Sequence, residues 1–215
     1  MFMFVLLLYS CEKFASDTPV EEVFQSYYSE YDESKNETYV QVVFTNSKGK
    51  KIILDGNSKI TCNGELIPKN GKYYSKTFNG YIDTASFKYT DINGKEYLNK
   101  LGIPLYVSND NSNILSKSIS SFWVFNGAPI GVNEEVKLYL ELKNKPSKNI
   151  SVKNNQLNGT SIYISSNSLN KFDTTGITIA QTSRLYFSNN GQWTIAGGEM
   201  KSEYKSLKNE IIIIP

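Results

Sequence analysis

From Thr38 to the last residues the chain repeats one pattern, a short run of apolar and polar side chains followed by a turn. The clearest run is Glu135-Val136-Lys137-Leu138-Tyr139-Leu140-Glu141-Leu142, whose period of two puts one set of side chains into a core and the other into water. Residues 38–44 mix β-branched and aromatic types and close at Asn46-Ser47-Lys48-Gly49. Further runs end at Asp55-Gly56, Asn63-Gly64, Asn70-Gly71, Asn79-Gly80 and Asp91-Ile92-Asn93-Gly94, pairs that tolerate the backbone of tight turns. Beyond the crossover Ile103-Pro104-Leu105, residues 121–125, 161–164, 177–180, 184–187 and 210–214 continue as strands. Helical periodicity is confined to residues 20–29, and Tyr27, Tyr28 and Tyr31 favour a strand there instead. The pattern predicts an all-β chain of two consecutive antiparallel β-sandwich domains, residues 23–103 and 104–215, meeting near residues 102–108.

The N-terminus breaks this rhythm. Met1 to Tyr9 is apolar, Ser10 is small, and Cys11 follows before the chain turns abruptly polar. An apolar stretch for export, a small residue at the cleavage site and a thiol for the diacylglycerol are what a lipoprotein signal needs. Leu8-Tyr9-Ser10-Cys11 resembles the lipobox of bacterial lipoproteins, with Tyr9 bulkier than usual and no basic residue before Lys13. The competing reading is a buried N-terminal strand over residues 2–8. The expected order is a signal peptide over residues 1–10, lipidation at Cys11, and a polar tether over residues 11–22. The run is too short to span a bilayer, which takes about 20 helical residues.

Composition narrows the chemistry. Of 215 residues, 40% are hydrophobic and 13% aromatic, enough for packed cores. Net charge is +2 with the two signs interspersed, which argues against a nucleic-acid partner. There is no histidine, which removes the commonest general base and the commonest zinc ligand. With Cys11 lipidated, Cys62 has no intramolecular partner. We therefore expect no enzyme, no catalytic residue, no cofactor and no metal site. A pair of carboxylates of the glycosidase type is the one catalytic arrangement left open.

Trp123, Asn126-Gly127, Glu134 to Leu138, Gly176 to Ile179, Arg184-Leu185, and Gly197 to Met200 with Tyr204-Lys205-Ser206 form a further set. On these residues the second half resembles the C-terminal repeat of small two-domain immunoglobulin-like lipoproteins of the Bacteroidetes phylum. The first half is similar in residues 49–54, 60–64 and 87–91. The resemblance implies immunoglobulin-like sandwiches and a place in the cell envelope, lipid-anchored at the outer membrane. It implies no reaction. Asp83-Thr84-Ala85 and Asp173-Thr174-Thr175 also resemble the short O-glycosylation acceptor of that phylum, which makes Thr84 and Thr174 candidates.

Few residues stand out for binding. Arg184, the only arginine, and Tyr204 read either as an anchor for a ligand carboxylate or sugar or as an inter-strand structural pair. Trp123, between Phe122 and Phe125, reads as core. Trp193, after Asn189-Asn190-Gly191, is the candidate ligand-binding residue on the second domain's loops, unless it caps the core. The leading function is a lipid-anchored envelope protein with a non-enzymatic role in adhesion, glycan capture or assembly with an envelope protein. The alternatives are a carboxylate-based glycan hydrolase or its accessory subunit, and a structural spacer.

Overall fold

The computed structural model describes residues 13–104, 107–109, 114–172 and 176–215. In the first half, β1 (Lys13–Phe14) and two 3₁₀ turns precede β2 (Phe24–Asp32), β3 (Glu37–Thr45), β4 (Ile52–Ile53), β5 (Lys59–Cys62) and β6 (Glu65–Leu66). There follow β7 (Lys69–Asn70), β8 (Tyr73–Asn79), β9 (Thr84–Thr90) and β10 (Glu96–Gly102). The second half runs β11 (Ser108–Asn109), β12 (Ile114–Ser116), β13 (Ser121–Asn126), β14 (Glu134–Leu142), β15 (Lys145–Asn154) and β16 (Ser161–Ile164). It ends with the single-turn α1 (Ser166–Leu169), then β17 (Gly176–Ser188), β18 (Gly198–Lys205) and β19 (Asn209–Ile214). The fold is all-β, as the alternation predicts.

Turn chemistry sets the local geometry. Asn63 and Gly64 adopt φ of 50° and 82°, the left-handed pair that a two-residue hairpin between β5 and β6 demands. A second device occurs twice. The Asn46 side-chain oxygen accepts the N–H groups of Lys48 and Lys50, and that of Asp91 accepts those of Asn93 and Lys95. Gly49 and Gly94 take the positive φ that closes each turn.

The described strands form one large sheet and three smaller ones, the smallest being β1 paired with β4. Ten strands join in the order β12-β19-β17-β18-β2-β3-β8-β7, with β14 and β15 branching from β17. The junction between the halves is β18 against β2, paired in parallel from Gly198↔Gln25 to Lys205↔Asp32. Two small sheets, β10-β9-β5-β6 and β11-β13-β16, cover the inner face of the large one. Beneath the first lies a core that includes Tyr27, Val42, Phe44, Phe87 and Tyr89; beneath the second lies one that includes Trp123, Leu138, Leu140, Ile162 and Ile164. Each such side chain taken from water contributes roughly 1.5–3 kcal/mol.

Two expectations need correction. The sandwiches of residues 23–103 and 104–215 are not separate sheet systems, because β18 continues the sheet into β2. The cores also cross the expected boundary: Met200 packs into the first, and Tyr31 into the second. A parallel pairing between residues so distant in sequence leaves no periodic trace in either segment, so the division at 103/104 could not register it. The described part of the expected tether, residues 13–22, is docked as well. Lys13–Phe14 pairs with Ile52–Ile53, Ala15 and Thr18 are buried, and Ser16 bonds the Asp55 carboxylate through both its N–H and its hydroxyl.

Candidate functional site

Alternation sorts the side chains of the large sheet onto two faces, the inner one over the cores and the outer one toward water. Across the outer face, register brings Glu135, Leu185, Glu203, Glu30 and Tyr39 into one row. The neighbouring row is Phe187, Lys201, Tyr28 and Gln41. Both rows cross the β18–β2 junction, so groups from the two halves of the chain meet there.

Charge on this face is interlocked. Glu135 sits between Lys137 at 3.0 Å and Lys153 at 2.7 Å. Burial alone would raise the Glu135 pKa, but the hydrogen bonds from the two lysines outweigh it and hold the carboxyl below its usual range. Lys205 meets Glu30 at 2.8 Å. Burial disfavours its charge, yet Glu30, Glu203 and Asp32 together raise its pKa. The Tyr28 hydroxyl lies between the carboxylates of Glu203, at 2.9 Å, and Glu30, while the Lys201 ammonium stands 5.3 Å from the centre of the Tyr28 ring. Burial first, and the two carboxylates after it, keep this phenol protonated far above the ordinary tyrosine range.

Three shallow depressions mark the outer face. One of about 220 Å³ is lined by Lys137, Tyr139, Ser151, Gln181, Glu203 and Lys205, among others. The other two flank Phe187, a residue 41% exposed. On one side a depression of about 400 Å³ includes Val132, Asn133, Glu135, Asn155 and Leu157. On the other, about 200 Å³, are Ser26, Tyr28, Asn189, Glu199 and Lys201.

The residues singled out from sequence fall elsewhere. Arg184 is a structural clamp: 2% exposed, it donates to the carbonyls of Ala128 and Pro129 at 2.7 Å each and pairs with Glu134 at 2.5 Å. Its partner in register, Tyr204, is buried and packs against Tyr31 and Tyr81. The pair is therefore inter-strand structure and no ligand anchor. Trp123 is core, with its Nε1–H directed to the Thr182 hydroxyl at 3.3 Å.

Trp193 lies in the β17–β18 loop but leans on the first core, not on the loops of the second half. Its ring stacks on Tyr27 at 5.9 Å, and its Nε1–H donates to the Asn189 carbonyl at 3.0 Å. A Cβ at Gly198 would stand 2.3 Å from the ring and one at Gly191 2.6 Å, so both glycines are needed for the indole to lie against the backbone. Gln192 beside it accepts from Leu98 N–H through its side chain and bonds Asn99 through its backbone. Trp193 thus latches the loop onto the first half. Its free edge borders a depression of about 290 Å³ shared with Asp91, Lys95 and Tyr97, among others.

Thr84 opens β9, half-buried and opposite Gly102. Cys11 and Thr174 lie outside the described residues, as does the signal segment over residues 1–10. Phe187 is the residue that sequence reasoning missed. Its signal was an aromatic side chain at a position where the alternation of β17 points outward.

Among the described residues no helix is long and apolar enough to cross a membrane, and no group of three or more His, Cys, Asp or Glu side chains is placed to hold a metal ion. No protein-family model matches the chain, and no curated protein matches it at a significant level.

Proposed function

We propose that this is a lipid-anchored protein of the bacterial cell envelope, held at the outer membrane through Cys11, that binds a partner or glycan without catalysing a reaction. Binding falls to the outer face of the shared sheet together with the loops that border it. The observation that carries this reading is the ordered state of that face. Glu30, Glu135, Lys137, Lys153 and Lys205 are already fixed in ion pairs, while Phe187 stays open between two depressions. A surface ordered before the partner arrives loses less side-chain entropy on binding. The immunoglobulin-like lipoproteins that the sequence resembles would supply the compartment.

The anchor is tested directly. Cys11→Ala should abolish palmitate labelling and release the protein from membranes; unchanged membrane partition would remove the lipoprotein reading.

One observation favours a second reading. Glu30 and Glu203 stand opposite one another and converge on Tyr28, as a carboxylate-based glycan hydrolase would require of two acids. Against it, Glu30 is paired with Lys205 and both carboxylates lie against the single O–H of a protonated phenol on an open sheet. Hydrolysis of a glycan that Glu203→Gln abolishes would establish the hydrolase.

A further inference from the structure

We propose that Phe187 is the stacking platform of a groove for a neutral oligosaccharide, formed by the two depressions on either side of its ring. The inference rests on the binding reading above and gives it a ligand class.

The platform is rigid. The Phe187 N–H donates to the Asn133 carbonyl at 2.9 Å, and the strand around it pairs with β14 on one side and β18 on the other. A pyranose presents a face of C–H bonds edged by hydroxyls, and an exposed aromatic ring matches that face. The hydroxyls then need side chains that both donate and accept. Asn133 and Asn155 stand in one depression, Asn189 and Ser26 in the other, and their amide and hydroxyl groups do both. Val132 and Leu157, 70% and 55% exposed, add apolar surface to the wider side. Depressions on both sides of one ring suit a chain of sugars rather than a single one.

Charge selects against acidic glycans. The only guanidinium, that of Arg184, is 2% exposed and committed to Glu134, Ala128 and Pro129. The groove carries the carboxylates of Glu134 and Glu135 on one side and Glu199 on the other, where Ser26 donates to Glu199 at 2.9 Å. Lys201 is the lysine that lines it. Glu134 is paired with Arg184 and Glu135 with Lys137 and Lys153, so Glu199 is the carboxylate that accepts from sugar hydroxyls and disfavours sialic or uronic acids.

The full-length protein, solubilised in detergent, is probed on a panel of neutral and acidic oligosaccharides. The strongest neutral hexasaccharide is then titrated by calorimetry. We expect binding of neutral chains, a loss of about tenfold or more in affinity for Phe187→Ala, and retention in Phe187→Trp, which keeps a stacking face. Asn155→Ala should weaken binding by a few-fold. Binding of no panel member, preference for acidic glycans, or wild-type affinity in Phe187→Ala would each overturn the proposal. Membrane partition of the wild-type protein and of Cys11→Ala reads the anchored function separately, so a failed sugar site is distinguishable from a failed envelope reading.

Discussion

The two cores rest on one sheet but are made of different side chains. The first is aromatic: Tyr27 meets Phe87 at 4.8 Å, Phe44 meets Tyr89 at 4.7 Å, and Tyr89 stacks on Tyr97 at 5.6 Å. The second is mainly aliphatic, with Ile130, Val136, Leu138, Leu140, Ile162 and Ile164 around Trp123, and Tyr31, Phe125, Phe172 and Tyr204 at its side. A buried tyrosine brings a hydroxyl that must be satisfied. The Tyr27 hydroxyl donates to Gln25 at 2.6 Å, and that of Tyr74 accepts the Leu54 N–H at 2.7 Å. The first core therefore ties down its rim through its own side chains. The second core has two buried tyrosines, Tyr31 and Tyr204, with the Tyr31 hydroxyl donating to the Asn36 side chain at 3.1 Å, and Arg184 adds a charged clamp by holding Ala128, Pro129 and Glu134. The first half is fastened by neutral bonds of its tyrosines, while the second adds a buried charged clamp.

That contrast can be broken from the second half first. Arg184→Met should cost about 3–5 kcal/mol, because it leaves Glu134 and two carbonyls without their partner. Trp123→Ala should cost about the same through the cavity it opens. Urea midpoints measure both; a loss under about 1 kcal/mol for Arg184→Met would show that the clamp is dispensable. In the first half, Trp193→Ala should cost less, about 1–3 kcal/mol, since its ring is only half-buried. A loss as large as that of Trp123→Ala would place Trp193 fully in the core.

Smaller effects sharpen the picture. Glu135 has a folded pKa below its usual range, so its contribution is present above the ordinary glutamate pKa and lost as pH falls through the depressed one. Glu135→Gln should flatten that part of the acid limb in a pH series of urea melts; an unchanged limb would exclude the lysine pair as its source. Cys62, buried in the first core, should report its opening. Burial raises its thiol pKa to about 12, with smaller contributions from Ser86, Glu65 and Lys76. A thiol reagent at pH 8 should label it only after unfolding, and rapid labelling of the native protein would mean the first core opens.

Strands were legible where one face is apolar and the other polar. β14 and β16 follow the alternation read from residues 135–142 and 161–164, and the Asn-Gly pair at Asn63-Gly64 marks a true hairpin. Asp55-Gly56 reads the same in sequence yet joins no hairpin, because Ile52–Ile53 pairs with β1 and β5 pairs elsewhere. β18 went unread as a strand. Its inner face holds Ser202, buried and bonded to the Gly102 carbonyl, where a core residue would have given the period away. That polar stretch sits where the two cores adjoin, so the junction strand hides for the same reason that it is a junction. The candidate site was legible only in part: Phe187 was read as a strand residue, but its neighbours Asn133, Asn155 and Asn189 come from separate loops.

The central claim is that the shared sheet makes the two cores one cooperative unit. Each core has its own tryptophan, with Trp123 in the second and Trp193 packed against the first. Trp123→Phe and Trp193→Phe therefore give single-tryptophan proteins that each report one core. In urea, each variant's tryptophan fluorescence should lose its native signal at the same midpoint as its far-ultraviolet circular dichroism, with no plateau. Separation of the two signals within either variant, with one core melting while the rest of the sheet persists, would contradict the single sheet and restore two independent domains.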